Sequence, residues 1–128
     1  MPEKMRAMVL ENLGPVESNP LKLREIDKHQ IQKQNEILIK IEACGVCHSQ
    51  LHSIEGDWKE IGLPPTLPTV PGHEIVGKIE KIGDDVVKFK IGDRVGITPL
   101  MGSCLDCQYC NEGKEYLCEN MEVTGESL

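Results

Sequence analysis

Four of the chain's six cysteines lie close together in a pattern typical of a metal site. The segment CLDCQYCNEGKEYLC has the spacing C-x2-C-x2-C-x7-C and supplies the side chains of Cys104, Cys107, Cys110 and Cys118. Four thiolates match the tetrahedral coordination of zinc and leave no position open for a substrate. The spacing therefore predicts a structural zinc site, and residues that carry chemistry are expected elsewhere in the chain.

Disulfides, unligated thiols and an iron–sulfur cluster are the alternatives for these cysteines, and six cysteines allow 15 disulfide pairings. The opening MPEKMRAMVL has three charged residues and no apolar run, so it does not resemble a secretory signal. We therefore expect a reducing, cytoplasmic setting that keeps thiols available to a metal. The segment has few bulky apolar residues whose burial could offset the entropy cost of ordering it. Structural zinc, in contrast, contributes about 10–16 kcal/mol in finger peptides.

Two upstream segments carry further metal-type side chains, CGVCHSQLH at 44–52 and PGHE at 71–74. Each segment alone has an ordinary interpretation, because a single cysteine is often a small buried residue and a single histidine is often a hydrogen-bonded one. Their occurrence together, upstream of a tetrathiolate, indicates a second site of a different kind.

Five strings in order resemble the zinc-containing alcohol dehydrogenases of the medium-chain dehydrogenase/reductase family: EACGVCHSQLH, GDW, PGHEIVGKIEKIG, KIGDRVG and the cysteine segment. The resemblance extends from about Glu36 to Cys118. It implies a mainly β fold, a GroES-like barrel with short helices, truncated at its C-terminal end, and a protruding cysteine lobe at about 99–120. It further implies that residues 1–128 are the catalytic domain of an oxidoreductase that transfers hydride between an alcohol or aldehyde and NAD or NADP.

By the same resemblance, Cys47 and His73 bind a catalytic zinc, with a third protein ligand supplied from beyond Leu128. Glu74 corresponds to a carboxylate that stays near the metal and can enter its coordination shell; a solvated strand glutamate is the alternative. A catalytic zinc needs fewer protein ligands than a structural one, because one position must accept the substrate oxygen.

The resemblance also implies a proton relay. Ser49 would receive the alcohol proton and His52, three residues later on one helix face, would pass it to solvent through the cofactor ribose. The alternatives are that Ser49 caps the helix and that His52 is an exposed polar residue. His48 corresponds to a basic residue facing the cofactor pyrophosphate, and Trp58 is either a substrate-pocket aromatic or an ordinary half-buried one.

Gln50 departs from the family pattern, in which most relatives have an aspartate that accepts a hydrogen bond from the far ring nitrogen of the histidine ligand. An amide oxygen can accept the same bond but makes the imidazole less electron-rich, and such changes typically cost about 10- to 100-fold in metal affinity or activity. We therefore expect weaker catalytic zinc than the family norm. Cys44 has no metal role in the pattern and is expected to be a small core residue.

The elements that must position these residues are mostly short strands. Alternation in EILIKIE places Ile37, Ile39 and Ile41 on one face, and the prolines between 63 and 72 indicate an extended connector. Turn signals bound the other segments, and their spacing is typical of an all-β barrel or sandwich. The predicted strands are Met5–Leu10, Leu21–Ile26, Glu36–Glu42, Ile75–Ile82 and Arg94–Thr98, and the predicted helix is Ser49–Glu55.

Composition limits the partners. With 39% hydrophobic residues the chain can form one core, and its net charge of −7, from 21 acidic and 14 basic residues, disfavours a nucleic-acid-binding module. No apolar stretch approaches a membrane span. No G-x-G-x-x-G occurs, so we expect the nucleotide-binding Rossmann domain to be absent from this chain.

A missing domain or a complementary chain is therefore an expected partner, besides a small alcohol or aldehyde, and a homo-oligomer remains open. The isolated chain is expected to bind structural zinc without nicotinamide-dependent turnover. The alternative is a non-catalytic, zinc-stabilised module with no dehydrogenase activity.

Overall fold

The computed structural model describes residues 2–125, and most of its regular structure is β-strand, as predicted. The strands form three small antiparallel sheets within that range, with strand orders β1-β2, β3-β4-β5 and β6-β7. Their bounds are β1 Lys4–Leu10, β2 Leu21–Asp27, β3 Ile37–Gly45, β4 Glu74–Ile82, β5 Arg94–Ile97, β6 Leu100–Gly102 and β7 Glu122–Val123.

The helices are short. α1 spans His48–Glu55 and α2 spans Gln108–Asn111, with 3-10 turns at Val16–Ser18, Asp57–Ile61 and Glu115–Leu117. α1 starts one residue before its predicted position and ends at Gly56, whose φ of 85° is the left-handed conformation that glycine adopts readily. Within residues 2–125 no helix has the length and apolar character needed to cross a membrane.

Buried apolar residues are few. Leu10 of β1, Ile54 of α1 and Ile79 of β4 are among them, and Thr69 of the connector is fully buried. The connector is extended, as predicted, and its Thr69 exchanges two backbone hydrogen bonds with Leu10, at 2.8 and 3.0 Å. These bonds fix the segment that leads into PGHE.

The pairing of β3 with β4 brings the two chemistry-bearing segments together. Gly45, the last residue of β3, lies opposite Glu74, the first residue of β4. Cys47 follows the end of β3 by two residues and His73 directly precedes β4. The strand register therefore places at one end of the sheet two side chains that are 26 positions apart in the sequence.

The predicted alternation in β3 is partly wrong. Ile37 and Ile39 are half-buried, but Ile41 is 56% exposed. The pairing with β4 has register shifts between Leu38 and Ile39 and again between Ile41 and Ala43, and such bulges interrupt the two-residue repeat of side-chain direction. Cys44 is also exposed, which corrects the expectation of a core residue.

Candidate functional site

The cysteine lobe brings its four sulfur atoms into one cluster. All four Sγ atoms lie within 4.8 Å of one another. Individual Sγ–Sγ separations are 3.5 Å for Cys104 and Cys118, 3.6 Å for Cys107 and Cys110, and 3.8 Å for Cys104 and Cys110. A tetrahedron with zinc–sulfur bonds of about 2.3 Å has edges of about 3.8 Å. The thiols are therefore spaced for a single tetrahedral ion and lie too far apart for disulfides.

Local backbone structure builds this cluster. Cys107 directly precedes α2 and Cys110 lies within it, while Cys118 follows the last 3-10 turn. Backbone N–H groups of Asp106 and Cys107 lower the pKa of the Cys104 thiol to about 6, and the N–H of Cys107 donates to the Cys104 sulfur at 3.3 Å. Because the thiolate is the form that binds metal, Cys104 is prepared to act as a ligand near neutral pH.

The second group, the Cys47 cluster, consists of Cys47, Ser49, His73 and Glu74. Ser49 Oγ lies 3.0 Å from His73 Nε2. Hydrogen bonds from the Ser49 and His73 side chains lower the pKa of the Cys47 thiol, and the nearby Glu74 charge opposes this effect. Four polar side chains from two distant segments thus meet where α1 begins and β4 begins.

Two glycines allow the segments to approach closely. A side chain at Gly45 would collide with the Glu74 carboxylate. A Cβ atom at Gly72, which has a φ of 139°, would lie 2.9 Å from the Cys44 sulfur and 3.4 Å from Gln50 Nε2. Gly72 therefore favours a residue without a side chain, whereas a side chain at Gly45 would force the Glu74 carboxylate to move.

Gln50 has a different partner from the one that the resemblance implies. Its side-chain Oε1 accepts a hydrogen bond from the backbone N–H of Cys47 at 3.2 Å. The backbone N–H of Gln50 donates to the Cys47 carbonyl at 3.1 Å. The His73 ring is hydrogen-bonded through Nε2 to Ser49. The Gln50 amide therefore holds the backbone that presents Cys47, at the first turn of α1.

Ser49 and His52 each have a partner of their own. Ser49 contacts His73, whereas His52 Nδ1 lies 2.7 Å from Asp57 Oδ2. The two residues of the predicted relay thus pair with different groups. Sequence reasoning missed Asp57; the signal available was a glycine helix end at 56 followed directly by an acidic residue.

Two aromatic rings lie near His52. The His48 ring centroid lies 4.8 Å from that of His52, and the half-buried Trp58 ring lies at 6.0 Å. Next to this group an open groove of about 620 Å³ has Cys47 and His48 in its lining. Its other walls are mainly apolar and include Val16, Leu21, Val46, Leu51, Ile54 and Pro71.

The two sites differ in completeness. Among residues 2–125, the cysteine lobe is the one group of three or more histidine, cysteine or carboxylate side chains whose ligand atoms are close enough to hold an ion. The Cys47 cluster offers one sulfur and one imidazole, with a carboxylate beside them.

Comparison with known proteins gives a consistent assignment. The family model described as the alcohol dehydrogenase GroES-like domain matches residues 33–126. An alcohol dehydrogenase of Geobacillus stearothermophilus is 44% identical over 124 residues, which cover 97% of this chain and 34% of that protein. The chain therefore spans about a third of the length of this curated relative.

Solved structures agree. The alcohol dehydrogenase of Aeropyrum pernix superposes with a TM-score of 0.83 at 31% identity, covering 97% of this chain and 34% of the other. CAD from Helicobacter pylori, solved in complex with NADP(H), gives a TM-score of 0.77 at 32% identity, with 97% and 34% coverage.

Proposed function

Because the chain belongs to the alcohol dehydrogenase GroES-like domain family, we propose that residues 1–128 form the metal-binding catalytic part of an NAD(P)-linked, zinc-dependent alcohol dehydrogenase. The reaction is hydride transfer between an alcohol or aldehyde and NAD(P). The observation that carries the proposal is the convergence of Cys47, Ser49, His73 and Glu74 at one end of a sheet. A purely structural module would need none of these side chains there.

The donor set of the Cys47 cluster fits an open zinc site. Cys47 and His73 would be the protein ligands from this chain, and the lowered pKa of Cys47 favours the thiolate that metal binding requires. Zinc, when bound, supplies the Lewis acidity that lets a bound alcohol lose its proton near neutral pH. Glu74 would stay near the metal, and its carboxylate could enter the coordination shell while water and substrate exchange.

Proton transfer would fall to α1. Ser49 Oγ would accept the alcohol proton and donate its own to a bridging cofactor hydroxyl, and His52 would take the proton from that bridge and release it to solvent. The separate partners of Ser49 and His52 are compatible with such a bridge. His48, exposed at the first position of α1, would contact the cofactor pyrophosphate.

The nicotinamide cofactor would be held by a nucleotide-binding domain that lies in a longer polypeptide or in a complementary chain. The NADP(H) complex of a structural relative supports NAD(P) as the cofactor class. A reducing compartment such as the cytoplasm would keep the thiols of both groups available to a metal. The cysteine lobe would hold the structural zinc.

The test is to combine the zinc-loaded chain with such a nucleotide-binding domain, fused or in trans. Formation of reduced nicotinamide is then followed with a panel of alcohols. We expect turnover that Cys47→Ser and Ser49→Ala each lower by more than about 100-fold. Cys44→Ser, which removes a thiol outside the Cys47 cluster, is the control. Zinc binding without turnover in any combination would favour the non-catalytic, zinc-stabilised module instead.

A further inference from the structure

The end of α1 builds a carboxylate–imidazole pair that the family resemblance does not assign. Gly56 ends the helix in the left-handed conformation, and its N–H donates to the His52 carbonyl at 2.9 Å. This reversal returns the next residue, Asp57, towards the last helical turn, where Asp57 Oδ2 lies 2.7 Å from His52 Nδ1. A tight helix end thus sets the position of the carboxylate relative to the ring.

This contact decides which ring nitrogen carries the proton. A carboxylate oxygen only accepts hydrogen bonds, so a neutral His52 paired with Asp57 must carry its hydrogen on Nδ1. Nε2 is then the unprotonated nitrogen and the one that can act as a base. The rings of His48 and Trp58 lie beside His52, tilted by 59° and 33° from its plane, with centroids 4.8 and 6.0 Å away.

We propose that Asp57 is a positioning residue for His52, holding its imidazole in the Nδ1–H tautomer so that Nε2 accepts the proton that leaves the active site. The proposal rests on the proposed function for the role of His52, but not for the tautomer itself. In the step, the bridging hydroxyl takes the Ser49 proton as its own O–H bond breaks, an N–H bond forms at Nε2, and the imidazolium pairs with the Asp57 carboxylate until Nε2 gives the proton to water.

The tautomer can be measured without turnover. In the zinc-loaded, ¹⁵N-labelled protein, long-range ¹H–¹⁵N spectra of the histidine side chains distinguish the two neutral forms. We expect mainly Nδ1–H for His52, and a change to mainly Nε2–H, the form free imidazole prefers, in Asp57→Ala. Asp57→Asn should lie between these two proteins, because its amide oxygen can accept from Nδ1–H but its NH2 group can instead donate to an unprotonated Nδ1. Glu60→Gln, an exposed carboxylate of the same 3-10 turn, is the matched control and should match the unaltered protein.

A merely structural role for Asp57 would not produce this pattern. A His52 ring with Nε2–H in the unaltered protein, or an unchanged tautomer ratio in a folded Asp57→Ala protein, overturns the proposal. Unchanged amide signals from α1 and from the β3-β4-β5 sheet show that the variant is folded.

A kinetic consequence follows when a nucleotide-binding domain is supplied. Asp57→Ala should lower kcat by about 2- to 5-fold, the range of an exposed ion pair, with KM unchanged and with only partial recovery in Asp57→Asn. A change in KM with kcat unaltered would contradict the positioning role. If the unaltered protein shows no turnover, the proposed function fails, whereas the tautomer result still decides the assignment of Asp57.

Discussion

The cysteine lobe and the Cys47 cluster are assembled in opposite ways. The lobe takes all four ligands from residues 104–118, and its sulfurs already lie within 4.8 Å of one another. The Cys47 cluster draws on two segments joined by strand pairing, and its histidine is hydrogen-bonded to Ser49. A set of side chains from one short segment is organised by local turns, whereas a set from distant segments depends on the pairing of strands.

The largest effect is expected from damage to the lobe. Cys110→Ser removes a buried ligand, so firmly held zinc should be bound at least about 100-fold more weakly, and amide protection in the lobe should be lost. Metal analysis combined with hydrogen exchange measures both effects. Cys44→Ser is the matched control, because it removes an exposed thiol outside both sites. Equal zinc retention in the two variants would mean that the lobe is not a tetrathiolate site.

Damage to the Cys47 cluster should leave the lobe intact. Cys47→Ser or His73→Ala should abolish any second, weaker zinc equivalent while one firmly held zinc per chain remains, because the two ligand sets share no residue. Native mass spectrometry during a zinc titration counts the ions. Loss of both equivalents in either variant would show that the sites are coupled and would remove the contrast between them.

Gln50→Asp sharpens the comparison at the open site. A carboxylate can make the His73 imidazole more electron-rich, so zinc in the Cys47 cluster should bind about 10-fold more tightly when its remaining ligand is supplied. The opposite result, weaker zinc binding, is expected if the shorter aspartate loses the hydrogen bond that the Cys47 N–H donates to Gln50 Oε1. Competition with a chelator measures the affinity. Unchanged or weaker retention would show that holding the Cys47 backbone matters more than the imidazole.

The lobe also predicts a pH dependence. In the metal-free chain, the pKa of the Cys104 thiol is held at about 6, below its ordinary value of about 8.5. A lowered folded-state pKa stabilises the fold above the ordinary value, and this contribution is lost as the pH falls towards 6. Metal-free lobe protection should therefore decrease between about pH 8.5 and pH 6. Cys104→Ser should remove that decrease; a decrease that persists in it would contradict the assignment.

The smallest effect concerns the helix that presents the Cys47 cluster. Gly56→Ala places a Cβ in the left-handed conformation 2.9 Å from Leu13 Cδ1, and should cost about 1–2 kcal/mol of α1 stability. Gly62→Ala, at a φ of 79° with open space around it, should cost less. Hydrogen exchange should rise in α1 and remain unchanged in the lobe. Equal effects of the two substitutions would exclude the Leu13 contact as a cause.

The sequence predicted most elements because their signals are local. The strands β1, β2, β4 and β5 lie within one residue of their predicted bounds, and Gly56 ends α1 where expected. β3 was predicted too short, and the exposure of Ile41 was missed, because bulges that break a two-residue repeat depend on the partner strand. The short β6-β7 pair was also missed, since so few residues carry little periodicity.

The same difference between local signals and long-range contacts applies to the two sites. Cysteine spacing alone predicts the tetrathiolate group, which the structure brings together. The Ser49–His73 contact, the Gln50–Cys47 bond and the Asp57–His52 pair arise from strand register and from the reversal at Gly56, so residue types alone could not predict them. The roles of Cys47, Ser49, His52, His73 and Glu74 in catalysis stay predictions.

X-ray absorption at the zinc edge, with metal quantification on the purified and reduced protein, tests the closed and independent nature of the lobe most directly. We predict one firmly held zinc per chain surrounded by four sulfur atoms at about 2.3 Å, unchanged in Cys47→Ser. Absence of firmly held zinc, or a sulfur shell that Cys47→Ser alters, would contradict the account.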